Sequence, residues 1–196
     1  AGSDATICEG STSTLSGTRG GSASSSTWST SGTGTFDNAS LVGATYTPSS
    51  ADISAGSVVL TITTDDPSGP CAAAADAMTL TINAVAVVSA GSDDATCAGS
   101  AFTASGSRSG GASSSTWSTS GTGTFADNTL LAAVYTPSSA DISAGSVVLT
   151  ILSDDPSGPC SAVSDPMTLT INTAATATAG SDATICEGST STLSGT

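Results

Sequence analysis

The sequence contains no lysine and no histidine, and its two basic residues are Arg19 and Arg108. Without histidine there is no imidazole for a Ser-His-Asp or Cys-His nucleophile system, for general-base work or for a metal site. Without lysine there is no Schiff base, no Ser-Lys dyad and no lysine isopeptide cross-link. Asp and Glu number 16 against those 2 arginines, a net charge of -14. That balance argues against nucleic acid as a partner, because phosphate affinity comes from Lys and Arg. Long hydrophobic runs are also missing. No 18 apolar residues stand together, so no segment is expected to span a membrane. No signal peptide is recognised at Ala1, where the chain opens inside a repeat. Large apolar residues are scarce too: Leu, Ile, Val and Phe make up 31 of 196 residues. With an acidic excess, that composition points towards disorder. Two observations oppose it. Only 9% of residues are charged, and the few large apolar residues recur at regular spacing. Thin β-sheets around small cores are the expectation.

What is present is repetition. Ala1-Gly2-Ser3-Asp4 returns as Ala90-Gly91-Ser92-Asp93 and as Ala179-Gly180-Ser181-Asp182, a period of 89 residues. Trp28 matches Trp117, Tyr46 matches Tyr135, Cys8 matches Cys97 and Cys186, and Cys71 matches Cys160. Without gaps, residues 1–89 and 90–178 agree at 61 of 89 positions, and residues 179–196 repeat 1–18 at all 18. The organisation read from this is repeat 1 over 1–89, repeat 2 over 90–178, and the start of a third, truncated repeat over 179–196. The order is A-B-A, which suggests a window onto a longer tandem array.

Each unit reads as short strands. Residues 57–63 alternate, with Val58, Leu60 and Ile62 on one face, and residues 78–83 do the same with Met78, Leu80 and Ile82. Apolar-in, Thr-out alternation is the pattern of a half-buried strand. Further strands are expected around Trp28, around Tyr46 up to Pro48, and over 4–7 and 12–16, with turns over 31–34 and 66–70. No window shows a convincing helical period. About seven strands in about 90 residues indicate an all-β chain of tandem immunoglobulin-like β-sandwich domains.

The strings Ala5-Thr6-Ile7-Cys8-Glu9-Gly10-Ser11-Thr12, Trp28 through Phe36, Tyr46-Thr47-Pro48, Gly69-Pro70-Cys71 and Met78 through Ile82 occur in that order. Together they resemble the PKD-like repeats of giant Bacteroidota surface proteins, of which gliding adhesins carry arrays. The resemblance covers the whole chain. It implies an extracellular, cell-surface location and a stalk or filament role, with no catalytic residues to carry over. The near-absence of basic residues departs from the family, whose members usually carry more charge and some lysine.

In such a compartment five cysteines are expected to form disulfides. The favoured pairing is within each repeat, Cys8–Cys71 and Cys97–Cys160, and Cys186 finds its partner outside the chain. The alternative joins repeats through Cys8–Cys160. A cysteine metal site is not expected, since there is no CxxC pair.

Asp65-Asp66 and Asp154-Asp155, each pair before Pro-Ser-Gly-Pro, are candidate calcium ligands. The competing reading is a solvated acidic loop that keeps the molecule soluble. No other cofactor is implied. Arg19 and Arg108 are either exposed loop charges or contacts to an acidic neighbour. Trp28, Tyr46, Trp117 and Tyr135 are read as core rather than as a sugar-binding platform. The function expected is a structural repeat of an extracellular filament or adhesin stalk, not an enzyme, with neighbouring repeats of the same chain or polymer as partners. The alternative is a polysaccharide- or surface-binding module.

Overall fold

The computed structural model describes residues 1–66, 71–156 and 158–195. The first repeat contains β1 (Ala5–Cys8), β2 (Ser13–Thr14), β3 (Ser26–Thr30), β4 (Thr35–Phe36), β5 (Thr45–Thr47), a one-and-a-half-turn helix α1 (Ser50–Ala55), β6 (Ser57–Thr64) and β7 (Ala75–Asn83). A linker strand β8 (Ala86–Ser89) follows. The second repeat contains β9 (Asp94–Cys97), β10 (Phe102–Thr103), β11 (Ser107–Gly110), β12 (Ser115–Thr119), β13 (Thr124–Phe125), β14 (Val134–Thr136), α2 (Ser139–Ala144), β15 (Ser146–Ser153) and β16 (Ser164–Asn172). From residue 67 onward, the turn expected over 66–70 lies outside the described residues.

Each repeat folds into two facing sheets. In the first, β1-β7-β6-β3 oppose β2-β5-β4; in the second, β12-β15-β16-β9 oppose β10-β14-β13. The opening strand pairs parallel with the closing one, Ala5 beside Leu80 and Asp94 beside Leu169. The other ladders are antiparallel, with Trp28 opposite Ile62 and Trp117 opposite Ile151. The alternation read from the sequence sets the faces. Val58, Leu60, Ile62, Met78, Leu80 and Ile82 are all buried. Trp28, Tyr46, Trp117 and Tyr135 are buried between the sheets, where Phe36 and Phe125 each pack 5.0 Å from the neighbouring tyrosine ring. Small residues allow these thin sheets to approach, and a handful of large side chains per repeat, each contributing about 2 kcal/mol on burial, forms the core.

Two elements differ from the sequence reading. The helices α1 and α2 were not anticipated, because six residues are too few to show a 3.6-residue period. Residues 173–195 carry no strand and are exposed throughout.

The candidate functional site at the joint between repeats

The linker does more than connect. β8 lies antiparallel on the edge strand β11, with Ser89 opposite Ser107 and Ala86 opposite Gly110. It also packs on β15 and β16. Ala86 is buried, Val87 faces out, and Val88 joins the second core. The linker is thus a strand of the second sandwich, not a flexible tether. Its approach depends on two glycines. A Cβ on Gly110, whose φ is +64°, would sit 2.1 Å from the Val85 carbonyl, and one on Gly111 would sit 2.3 Å from that of Ala84. Instead the Gly111 amide donates to the Val85 carbonyl at 2.8 Å. Gly111→Val is therefore expected to pry the linker from its edge. Small-angle scattering would then show a broadened distance distribution, with near-native circular dichroism. An unchanged scattering profile would contradict this account of the joint.

The cysteines close the same joint. Cys8, at the end of β1, is bonded to Cys160 in the loop before β16, with Cα atoms 5.1 Å apart. This corrects the favoured pairing: Cys8–Cys71 and Cys97–Cys160 do not form, and Cys71, Cys97 and Cys186 are free and exposed. The reason is topological. In each repeat the end of the first strand and the loop before the last strand lie at opposite ends of the sandwich, so a cysteine from one repeat meets the other cysteine of the next. Polar contacts tie the joint further. The Glu9 amide donates to the Asn83 carbonyl at 2.8 Å, and the Val85 amide to the Glu9 carboxylate at 3.3 Å. A shallow groove of about 380 Å³ between the repeats is lined by Ile82, Asn83, Ala84, Gly111 and Pro156.

The acidic candidates are used locally. Asp65 accepts from the Ser24 hydroxyl and from the Ser24 and Ser25 amides, and Asp154 accepts from the Ser113 hydroxyl and amide. The serine hydroxyl hydrogen bond leads in holding each carboxyl below the ordinary range. Asp66 and Asp155 are exposed beside them. Among the described residues no three acidic or cysteine side chains gather as metal ligands. Through these hydrogen bonds Asp65 and Asp154 fasten the loop before the Trp strand. Arg108 is exposed on β11 and donates to the Ser115 hydroxyl at 3.4 Å. Neither arginine forms an ion pair among the described residues.

The most consequential polar residue was missed from sequence. Asp52 is 2% exposed and Asp141 is 3% exposed. Asp52 Oδ1 accepts from the Thr33 amide at 2.9 Å. Its Oδ2 accepts from the Gly34 and Ser49 amides, both at 2.9 Å, and from the Tyr46 hydroxyl at 2.8 Å. Asp141 repeats this with Thr122, Gly123, Ser138 and Tyr135. Burial pushes each carboxyl up, but the backbone and tyrosine donors outweigh it and hold both at about 2. The capping box Ser49–Asp52 and the left-handed C-cap Gly56 were legible signals for a helix in Ser49-Ser50-Ala51-Asp52-Ile53-Ser54-Ala55-Gly56. What they could not reveal is that the capping carboxylate also clasps Tyr46 and the 33–34 turn.

The geometry defines a class: tandem immunoglobulin-like β-sandwiches joined by a paired linker strand and a disulfide. No protein-family model matches the sequence, and no curated protein matches it. Among solved structures, the chain is similar to the insect immune protein hemolin at a TM-score of 0.56 and 13% identity, covering 87% of this chain and 45% of hemolin. Mouse cadherin-23 EC22-24 matches at a TM-score of 0.43 and 13% identity, with 86% and 62% covered. Protocadherin gamma C5 EC1-3 matches at 0.43 and 10%, with 86% and 65% covered. The chain thus spans less than two thirds of each, and at this identity the hemolin likeness establishes the fold alone. No helix among the described residues is long and apolar enough to cross a membrane.

Proposed function

We propose that this chain is a load-bearing section of an extracellular stalk or filament on a bacterial surface. In this reading it is built from tandem repeats of the PKD-like kind, works without catalysis, and has neighbouring repeats as its partners. The observation that carries the reading is the joint. The second sandwich takes the linker itself as an edge strand, and a covalent bridge runs from Cys8 to Cys160. Such a joint fixes spacing and passes tension between repeats, which suits a geometric rather than a chemical task. The acidic, lysine-free surface adds solubility.

The test is mechanical. Pulled from its two ends with the bridge intact, the chain should withstand load with little extension. The same preparation applied to a glycan array should retain no sugar. Saturable binding to one glycan class, together with a joint that yields at low force, would favour a binding module instead.

A further inference from the structure

The two repeats carry the same Asp-Asn pair in the loop after the phenylalanine, but one step out of register. Repeat 1 reads Phe36-Asp37-Asn38-Ala39-Ser40, and repeat 2 reads Phe125-Ala126-Asp127-Asn128-Thr129. The turn itself is shared. In repeat 2 Asp127 Oδ1 accepts from the Thr129 amide at 2.9 Å, and in repeat 1 Asn38 Oδ1 accepts from the Ser40 amide at 3.0 Å. A carboxylate therefore supplies all that the turn asks of this position. What asparagine adds is an amide nitrogen, and its use differs between the repeats. Asn128 Nδ2 donates to the Trp117 carbonyl at 3.1 Å, capping the outer edge of β12. The shift puts Ala39 at that place in repeat 1, and Asn38 Nδ2 donates to nothing among the described residues.

The unused amide stands where an enzyme can reach it, since Asn38 and Ser40 are both exposed. Their loop is fastened from below. Asp37 Oδ1 accepts from the Asn38 and Thr45 amides at 2.6 and 2.8 Å. The Leu41 amide donates to the Asn38 carbonyl at 3.1 Å, and the Trp28 amide to the Ala39 carbonyl at 2.8 Å. Asn38-Ala39-Ser40 is also the one Asn-x-Ser/Thr triplet in the sequence, because Asn83, Asn128 and Asn172 are followed two places on by Val85, Leu130 and Ala174. That triplet is the acceptor pattern for N-linked sugar on the surface of exported proteins. We propose that Asn38 is a glycosylation site that takes sugar from a diphosphate-activated donor. Nδ2 bonds to the anomeric carbon, the bond from that carbon to the diphosphate oxygen breaks, the diphosphate leaves, and the amide nitrogen gives up one proton. Repeat 2 has no such site, because its asparagine lies one place later and is engaged with Trp117. The sugar would stand beside β3, an edge strand of its sheet. The Trp28 carbonyl there lacks the side-chain donor that Asn128 gives Trp117, and a glycan over this edge would keep another strand from pairing with it.

The proposal rests on the extracellular reading above for access to a glycosyltransferase, but the two fail separately. A bare Asn38 leaves the load-bearing joint untouched, and a joint that yields at low force leaves the sugar in place. The chain isolated from the cells that make it is digested and mapped by mass spectrometry. A peptide holding residues 37–41 is expected to carry sugar mass, which electron-transfer fragmentation places on Asn38. A single hexose would mark a nucleotide-linked donor and a preassembled oligosaccharide a lipid-linked one, and either supports the site. Ser40→Ala should lose the sugar and Ser40→Thr should keep it, because the transferase reads the hydroxyl at that position. Both variants should keep the parent's circular dichroism, so that lost sugar is not lost fold. Asn38→Asp should melt with the sugar-free parent, since Asp127 already serves the same turn. A bare Asn38 in the isolated chain, sugar on Asn83, Asn128 or Asn172 instead, or full occupancy in Ser40→Ala would each overturn the proposal.

Discussion

Replacing Asp52 or Asp141 with alanine is expected to cost the affected repeat about 4 kcal/mol, the largest effect of any single polar substitution in the chain. Each carboxylate satisfies three backbone amides and one buried tyrosine hydroxyl. Leaving a buried donor unpaired costs about 1–3 kcal/mol, with the amides nearest solvent at the low end. A domain of this size holds only roughly 5–10 kcal/mol in total. Calorimetry should show one of two transitions displaced far downward or lost. The same carboxylates set the acid limit. Their folded values near 2 lie below the ordinary 3.8, so the unfolded chain binds protons more readily. The stabilisation is complete above about pH 4 and disappears as pH falls through about 2, amounting to about 2.5 kcal/mol per repeat. The double variant Asp52→Asn with Asp141→Asn should be less stable at neutral pH and show a much flatter profile between those limits. Equal acid sensitivity in the variant and the parent would remove these two residues from the explanation.

Reducing the Cys8–Cys160 bridge should transform the response to force. With the bridge intact, tension applied at the ends crosses from Cys8 to Cys160, so it loads β1 and β16 but bypasses residues 9–159. The two cysteines are 152 residues apart in sequence. At about 3.4 Å per extended residue, reduction releases about 500 Å of contour length that the oxidised chain never yields. In a force-extension experiment the long unfolding steps of residues 9–159 should be absent before reductant, when only β1, β16 and their flanking segments can be drawn out, and present after it, with Cys8→Ser matching the reduced chain. Closing so long a loop also stabilises the pair by up to about 5 kcal/mol on the chain-entropy model. Reduced repeats should therefore melt lower and with less mutual dependence. Identical force curves with and without reductant would show that the bridge carries no load.

The lack of lysine and histidine, the 89-residue period and the alternation of Val58-Leu60-Ile62 and Met78-Leu80-Ile82 are local or additive properties. They determined the β class, the strand faces and the burial of Trp28 and Tyr46, because a period of two admits one inward face. Even the helix punctuation of Ser49, Asp52 and Gly56 was there to be read. The disulfide partner was left open: pairing within each repeat was favoured, with Cys8–Cys160 as the alternative, because the connection after the first strand and the loop before the last lie at opposite ends of an immunoglobulin-like sandwich. Only the assembled sandwiches decided for Cys8–Cys160, by bringing the two ends together between repeats. The same holds for Asp52, whose acidic side chain reads as surface until the fold brings Tyr46 and the amides of Thr33 and Gly34 around it. It holds again for β8, whose short Ala-Val run has no face until the edge of β11 supplies one. Contacts between residues far apart in the chain depend on where the backbone places them, and that placement is decided by packing the sheets, not by any one segment.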